Sequence, residues 1–274
     1  MRFLDAIGRA IGGVLSPIAW QGSFLRGARL FHPDGVVYCA GVKPLAVEGE
    51  VGALAQRLGG PALVRLSGGI WRWRSAKVER RPDVLGIAVR FRDSQEVTPA
   101  ASAGDQDLIF LSARRLWLLP IAVFTTKTRD FLDNHYYAQL PFDVEGFGRA
   151  EFRLIPLRPS TVKGNRLERL ERSAAVGLAL LRLEVRRRGA RARWMPVADI
   201  ELYEPVDIDQ NTLRFNPFQA GKGIVPTGLL QSTRLWTYWG SYLGRVLGAR
   251  LRARRASARA ARAARRARRR GQEE

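Results

Sequence analysis

The chain has 274 residues, of which 46% are apolar, and it carries a formal net charge of +21. This length allows one large domain or two small ones, and the apolar fraction is sufficient for a buried core. The single cysteine, Cys39, excludes an internal disulfide and a multi-cysteine zinc site, and the two histidines, His32 and His135, exclude a three-histidine metal site.

The first 26 residues are predicted to form an amphipathic arm that packs against the rest of the protein. Charged Asp5 and Arg9 interrupt an apolar segment that would otherwise resemble a signal peptide or a membrane span, so we expect a cytoplasmic protein. Contact with a membrane surface is the alternative for this arm. The apolar residues at helical spacing are Phe3, Leu4, Ile7, Ile11 and Leu15.

Residues 249–274 form an arginine- and alanine-rich tail, predicted to be disordered or a frayed helix. It holds eleven arginines and two glutamates, a net charge of +9, and it lacks an apolar stripe. Such tails bind the phosphates of nucleic acid or anionic lipid weakly, or they serve only as solubilising extensions.

Between these ends, residues 27–248 are predicted to contain several strands followed by helices. The turn Pro33-Asp-Gly35 introduces the first apolar strand, and a short helix is predicted over 51–59. The next strand, 61–69, alternates so that Arg65 and Ser67 share one face. The later predicted strands are 82–91, 107–112 and 150–158, followed by a hairpin of 178–186 and 197–203 around Gly189.

Helical or irregular structure is predicted over 128–139, 167–175 and 211–230, before a long aromatic helix over 229–247. Strands that come first and helices that follow indicate an α+β protein with an antiparallel sheet or barrel. No glycine-rich phosphate loop, nucleophile elbow or internal repeat is present in the sequence.

Arg234 and Tyr238 lie four residues apart in the predicted aromatic helix, so their side chains share one face. A guanidinium beside a phenol favours the phenolate, and a phenolate is a known proximal ligand of haem iron. By spacing alone, the same pair also fits a surface cation–aromatic contact.

Five collinear motifs over about residues 25–248 resemble the haem-binding core of the catalase superfamily. They are Arg29-Leu-Phe-His32-x-x-Gly35, Val64-Arg65-Leu-Ser67, Asp83-x-x-Gly86-x-Ala88-Val-Arg90-Phe91, Asp107-Leu108, and Gly223-Ile-Val-Pro226 with Leu230-Gln231-x-x-Arg234-Leu-x-x-Tyr238. The resemblance implies an antiparallel β-barrel of catalase type with flanking helices, and haem b as the cofactor.

The resemblance also implies roles for individual residues. His32 would be the distal acid/base, with Ser67 orienting its imidazole, and Tyr238 would be the iron ligand, with Arg234 as its partner. Phe124 lies at the offset of a family phenylalanine that packs on the haem. The arginines that would bind the haem carboxylates are Arg29, Arg65 and Arg245.

Two departures from the family pattern concern the chemistry. The family's distal asparagine is replaced by Leu111 or, with a one-residue slip, by Ser112, and the sequence after Tyr238 differs as well. The extended N-terminal arm and the helical C-terminal domain of full catalases have no counterpart in the sequence. The chain thus resembles the short catalase-related proteins, and we expect any homo-oligomer to be smaller than the tetramer of full catalases.

Three functions follow as hypotheses. The first is a haem-dependent hydroperoxidase that reduces hydrogen peroxide or organic hydroperoxides with an electron donor. The second is an organic or fatty-acid hydroperoxide isomerase, which the apolar Leu111 favours. The third is a non-catalytic haem-binding protein, or one that binds nucleic acid or membranes through its basic tail.

Each candidate residue also has a purely structural interpretation. His32 beside a turn would be a surface or capping histidine, and Ser67 would satisfy a backbone group. Arg65 would face water from an edge strand, and Phe124 would belong to the core.

Overall fold

The computed structural model describes residues 32, 34–70, 78–189, 192–209 and 212–227. The predicted arm (1–26), the aromatic helix (229–247) and the basic tail (249–274) lie outside the described residues.

The described residues form ten strands and three short α-helices. The strands are β1 Gly35–Pro44, β2 Gly60–Gly68, β3 Leu85–Phe91, β4 Gln106–Leu111, β5 Tyr136–Tyr137, β6 Phe142–Val144, β7 Gly148–Pro156, β8 Leu180–Arg187, β9 Met195–Val206 and β10 Ile224–Pro226. The helices are α1 Gly49–Leu58, α2 Leu119–Thr125 and α3 Arg166–Ala175, with 3₁₀ turns at Val78–Arg80, Leu116–Leu118 and Phe131–Asp133. Within the described ranges, no helix has both the length and the apolar character needed to cross a membrane.

Eight of the strands close into an antiparallel β-barrel. The order around the barrel is β5-β4-β3-β2-β1-β9-β8-β7, and β7 pairs with both β8 and β5, which completes the circle. Strands β6 and β10 extend from the β7 side as a short additional ribbon. The predicted antiparallel barrel with a few helices is therefore confirmed, and its kinship with the catalase core stays a prediction.

The barrel encloses one apolar core: strands such as β7 and β8 bury alternate side chains in it, whereas β3 and most of β2 are buried on both faces. On β1, Tyr38, Ala40 and Val42 point into this core, and the partner strands β2 and β3 add Val64, Leu66, Ile87 and Val89. Helices α1 and α3 contribute Leu54, Leu58 and Leu170. Each fully buried side chain of this size stabilises the fold by roughly 1.5–3 kcal/mol.

The opposite face of β1–β4, which we call the outer face, carries a different set of side chains. Residues directly opposite in an antiparallel pair share a face, so the register arranges this set in rows across the four strands. The first row is Gly35, Ser67, Gly86 and Leu111; the second is Val37, Arg65, Ala88 and Ile109; the third is Cys39, Leu63, Arg90 and Asp107. The predicted shared face of Arg65 and Ser67 is confirmed.

The longer predicted strands are present, with boundaries shifted by at most three residues. Four short elements are not among the predicted strands and helices: α2, β5, β6 and β10. Strands of three residues are too short to show a period, and α2 lies in an apolar run without alternation. The segment 128–139 was predicted only as helix or loop, and it forms a 3₁₀ turn followed by β5.

Candidate functional site

His32 precedes β1 and is fixed through its backbone to β2. Its φ angle of 56° lies in the left-handed region, which residues other than glycine seldom adopt. The His32 amide donates to the Gly69 carbonyl at 2.8 Å, and the His32 carbonyl accepts a bond from Arg65 Nη2 at 3.0 Å. These two bonds hold the backbone of His32 over the first row of the outer face.

The imidazole of His32 is oriented by Ser67. Nδ1 of His32 lies 2.9 Å from Ser67 Oγ, and the same hydroxyl lies 3.4 Å from the Gly86 carbonyl. When Ser67 donates to Gly86, Nδ1 carries the proton and donates to Oγ; when Ser67 donates to Nδ1, the ring proton resides on Nε2. The hydroxyl therefore supports both neutral tautomers of the ring. Ser67 therefore makes both the imidazole contact and the backbone contact that were considered for it.

Two glycines make room for this arrangement. A Cβ on Gly86 would lie 2.4 Å from His32 Cε1, and a Cβ on Gly35 would lie 2.7 Å from Arg65 Cζ. Both distances are far below van der Waals contact, so a side chain at either position would displace the imidazole or the guanidinium. The glycines of two of the sequence motifs are thus explained by the side chains that occupy their space.

Arg65 lies in the interior of the sheet, because β2 is paired with β1 on one side and with β3 on the other. Its side chain is almost fully buried. The interpretation of Arg65 as an edge-strand arginine facing water is therefore wrong. A buried guanidinium in the row next to His32 brings a permanent positive charge to the site.

A buried ion pair in the third row ties a later segment to the outer face. Arg90 Nε and Nη2 donate to the two carboxylate oxygens of Asp107 at 2.8 and 2.9 Å, and both side chains are fully buried. The Asn216 amide donates to Asp107 at 2.7 Å, and Arg90 also donates to the Arg214 carbonyl. Burial raises the pKa of the Asp107 carboxyl, and the bonds and charge of Arg90 oppose this effect.

The segment tied by this ion pair covers part of the outer face. Leu213 and Phe215 pack against Val37, Leu63 and Ala88 in a second apolar cluster, separate from the barrel core. The Arg90 guanidinium lies 5.1 Å from the centre of the Phe215 ring. Arg90 and Asp107 belong to two separate sequence motifs, and only the strand register shows that their side chains meet.

The structure distinguishes the two candidates for the position of the family's asparagine. Leu111 lies in the first row, opposite Gly86 on β3 and next to Tyr137 on β5. Ser112 instead accepts a bond from the Leu85 amide at 2.9 Å and lies 2.8 Å from Thr126 Oγ1. The residue that shares the face of His32 is therefore the apolar Leu111.

Phe124 is not a core residue. It lies on α2 and is 77% exposed, whereas the opposite side of the helix packs on Val84 and Ala113 through Ala122. The interpretation of Phe124 as part of the core is therefore wrong, and its contact with a haem stays a prediction.

The remaining predicted site residues lie outside the described residues. They are Arg29, Arg234, Tyr238 and Arg245. In the described part of the chain, no group of three or more histidine, cysteine or acidic residues is arranged to hold a metal ion. The described part of the predicted site is therefore the side that carries His32, and the predicted iron ligand Tyr238 lies outside the described residues.

No protein-family model matches the chain, and no curated protein matches it significantly. The resemblance to the catalase superfamily is thus carried by the five sequence motifs and stays a prediction.

Proposed function

We propose that the protein is a haem-dependent hydroperoxidase in which His32 acts as the distal acid/base. The observation that carries this proposal is the three-point fixation of His32: its amide by Gly69, its carbonyl by Arg65 and its Nδ1 by Ser67. A left-handed backbone and a ring seated over a glycine are costly for a histidine that merely caps a turn. Such costs are typical of functional sites.

The described residues are suited to a haem. Around His32, the first row of the outer face consists of Gly35, Ser67, Gly86 and Leu111, whereas the second row is already packed against Leu213 and Phe215. The first row is a low, mainly apolar surface on which a planar aromatic group can lie. Arg65 adds the cation that a buried carboxylate requires.

In this proposal, residues from several parts of the chain hold the cofactor. Tyr238 would ligate the iron with Arg234 as its partner, and Arg29, Arg65 and Arg245 would bind the haem carboxylates. The haem contact expected of Phe124 is not part of this proposal, because its side chain points into solvent. When bound, haem b supplies a ferric centre at which the O–O bond of a hydroperoxide is cleaved.

His32 would move one proton during this cleavage. Because Nδ1 is bound to Ser67, Nε2 would be the atom that exchanges the proton. It would take the proton from the O–H oxygen of the hydroperoxide and return it to the second oxygen, which leaves as water or an alcohol. Throughout this transfer Nδ1 keeps its own proton and donates to Ser67 Oγ, while the Ser67 hydroxyl donates to the Gly86 carbonyl, so these two bonds support the tautomer whose Nε2 is free to accept a proton. A second peroxide or an organic donor would then supply the two electrons that complete the reduction.

The test compares peroxide consumption by the haem-loaded wild type, His32→Asn and Ser67→Ala. Asparagine tolerates the left-handed backbone but does not exchange protons near neutral pH, so we expect a rate loss of about a hundredfold or more with the haem spectrum retained. Ser67→Ala is expected to change the pH profile of the rate, and Ser67→Thr, which keeps the hydroxyl, to restore it. Equal rates for the wild type and His32→Asn would contradict the proposed role of His32.

A second candidate function is favoured by Leu111. An apolar side chain where the family has an amide removes a hydrogen bond to a small peroxide, and such donors are often worth a few kcal/mol in the transition state. It also suits a bulkier, less polar hydroperoxide. An isomerase would convert an organic hydroperoxide without consuming a reductant, which product analysis with and without an electron donor distinguishes.

A further inference from the structure

Four large apolar side chains around α2 point into solvent. We call them the α2 patch: Leu116 (40% exposed), Trp117 (70%), Ile121 (61%) and Phe124 (77%). Exposed apolar residues that are scattered singly need no explanation, but four within nine residues form a contiguous surface that favours an apolar partner.

The patch lies on a well-anchored platform. The opposite side of α2 packs through Ala122, Leu119 and Val123 on Val84 and Ala113. At the end of the helix, Thr126 Oγ1 donates to the Ala122 carbonyl at 2.7 Å and lies 2.8 Å from Ser112 Oγ. The apolar side chains are therefore held outward by packing and hydrogen bonds on the other side of the same helix.

Positive charge surrounds the patch. The sequence contains no acidic residue between Asp107 and Asp130, whereas Arg114, Arg115, Lys127 and Arg129 flank the apolar side chains and are all exposed. The Arg115 guanidinium lies 5.0 Å from the centre of the Trp117 ring, and Lys127 forms an exposed ion pair with Asp133 at 2.7 Å. Aromatic and aliphatic side chains inside a cationic rim are typical of surfaces that insert shallowly into anionic bilayers.

We propose that the α2 patch docks on an anionic lipid surface, with Trp117 and Phe124 inserted and the flanking arginines at the head groups. Charge complementarity favours lipid over a second copy of this chain. A symmetric dimer through the patch would bring its cationic rims together, in a protein whose net charge is already +21. An anionic bilayer can bury the apolar side chains among its acyl chains while its head groups pair with the cationic rim.

The patch lies at the end of the barrel that carries His32. Val84, on which α2 packs, immediately precedes β3, and Gly86 of β3 is the residue over which the imidazole is seated. Docking would therefore bring this end of the barrel to the membrane. We therefore infer that the substrates are hydroperoxides of membrane lipids, and this inference rests on the proposed function.

The test measures binding of the full chain to vesicles, without any assay of peroxide chemistry. Vesicles of phosphatidylcholine alone and of an equimolar mixture with phosphatidylserine are sedimented with the wild type and with Trp117→Ser/Phe124→Ser. We expect the wild type to bind the mixed vesicles more tightly than the neutral ones. The double variant should lose about tenfold or more of that affinity, since two inserted rings are removed.

The matched control is Val176→Ser, which removes a similarly exposed apolar side chain at the end of α3 and should bind like the wild type. Brominated acyl chains provide a second readout: they should quench the wild type more than Trp117→Phe, which keeps the ring but loses the indole. The basic tail is present in every variant and inserts no indole. Equal binding of the wild type and the double variant, or no binding of the wild type, would overturn the proposal. So would a double variant that changes only from dimer to monomer.

Discussion

The imidazole of His32 occupies the space that a side chain at Gly86 would fill. The sequence motif contains Gly86, but spacing alone gives no reason for a glycine at the second position of strand β3, where it weakens the sheet. The reason emerges from the antiparallel register, which sets Gly86 opposite Ser67 and beneath the imidazole. At the scale of single residues, the sequence predicts which residues belong to the site, and tertiary pairing explains why.

Substitution of Gly86 by alanine should destabilise the protein by displacing His32. The added Cβ would lie 2.4 Å from Cε1, and overpacking of this kind costs about 1–3 kcal/mol. Because the clash involves the imidazole, the cost should largely disappear in a His32→Gly background, where the ring is absent. Urea unfolding of the four proteins of this double-mutant cycle measures the coupling.

Gly189→Ala is the control, because a Cβ there meets nothing within 4 Å and its φ is not positive. It should change the free energy of unfolding little, in either background. If Gly86→Ala costs as much with His32→Gly as with the native histidine, the ring does not occupy that space.

Among the elements, the sequence predicts the long strands but neither α2 nor the short strands β5, β6 and β10. Strands β1, β2 and β3 alternate or run apolar between turn residues, so their periods identify them. The segment around α2 reads Leu-Trp-Leu-Leu-Pro-Ile-Ala-Val-Phe, which is apolar on all sides and shows no helical period. Only the structure shows that half of these side chains are exposed, and that Phe124 is not part of the core.

The Arg90–Asp107 pair determines how the segment around Phe215 lies on the outer face. Asp107→Asn would leave a fully buried guanidinium without its counter-charge, and the loss of one partner of a buried pair typically costs about 3–5 kcal/mol. We expect a loss of this size in urea unfolding. Faster amide hydrogen exchange over 213–216 should accompany it, because Arg90 and Asp107 bind the backbone there.

The matched control is Asp199→Asn. Asp199 also forms a two-point pair with Arg182, at 2.8 and 2.9 Å, but that arginine side chain is one-third exposed and the bonds are better screened by water. Its removal should cost less than about 1 kcal/mol. The prediction would be contradicted if the two variants lost similar free energy of unfolding. It would also be contradicted if amide exchange over 213–216 were unchanged in Asp107→Asn.

In the whole molecule, closure of the barrel gives β8 a second neighbouring strand, without which the backbone hydrogen-bonding groups on one side of β8 would lack a partner strand. Closure pairs β7 with β8, and cross-strand ion pairs reinforce this seam: Arg153 with Glu184 at 2.5 Å, and Arg186 with Glu151 at 2.5 Å. The order of strands and helices predicts an antiparallel sheet or barrel, and the family resemblance implies the barrel. Pairings between distant segments, such as β1 with β9, cannot be read from local periodicity. For the same reason, local periodicity does not predict that the segment around Phe215 packs on the outer face.

In the proposed function the barrel carries a haem ligated by Tyr238, and the absorption spectrum of the bound haem reports on this ligation. The purified full chain is titrated with ferric haem, alongside Tyr238→Phe and, as a control, Tyr203→Phe, which alters a half-exposed tyrosine on β9. We predict saturable uptake of haem with a Soret spectrum typical of a ferric phenolate complex in the wild type and in Tyr203→Phe, and a different ligand spectrum in Tyr238→Phe. No saturable uptake by the wild type, or a spectrum that Tyr238→Phe leaves unaltered, would contradict the proposal.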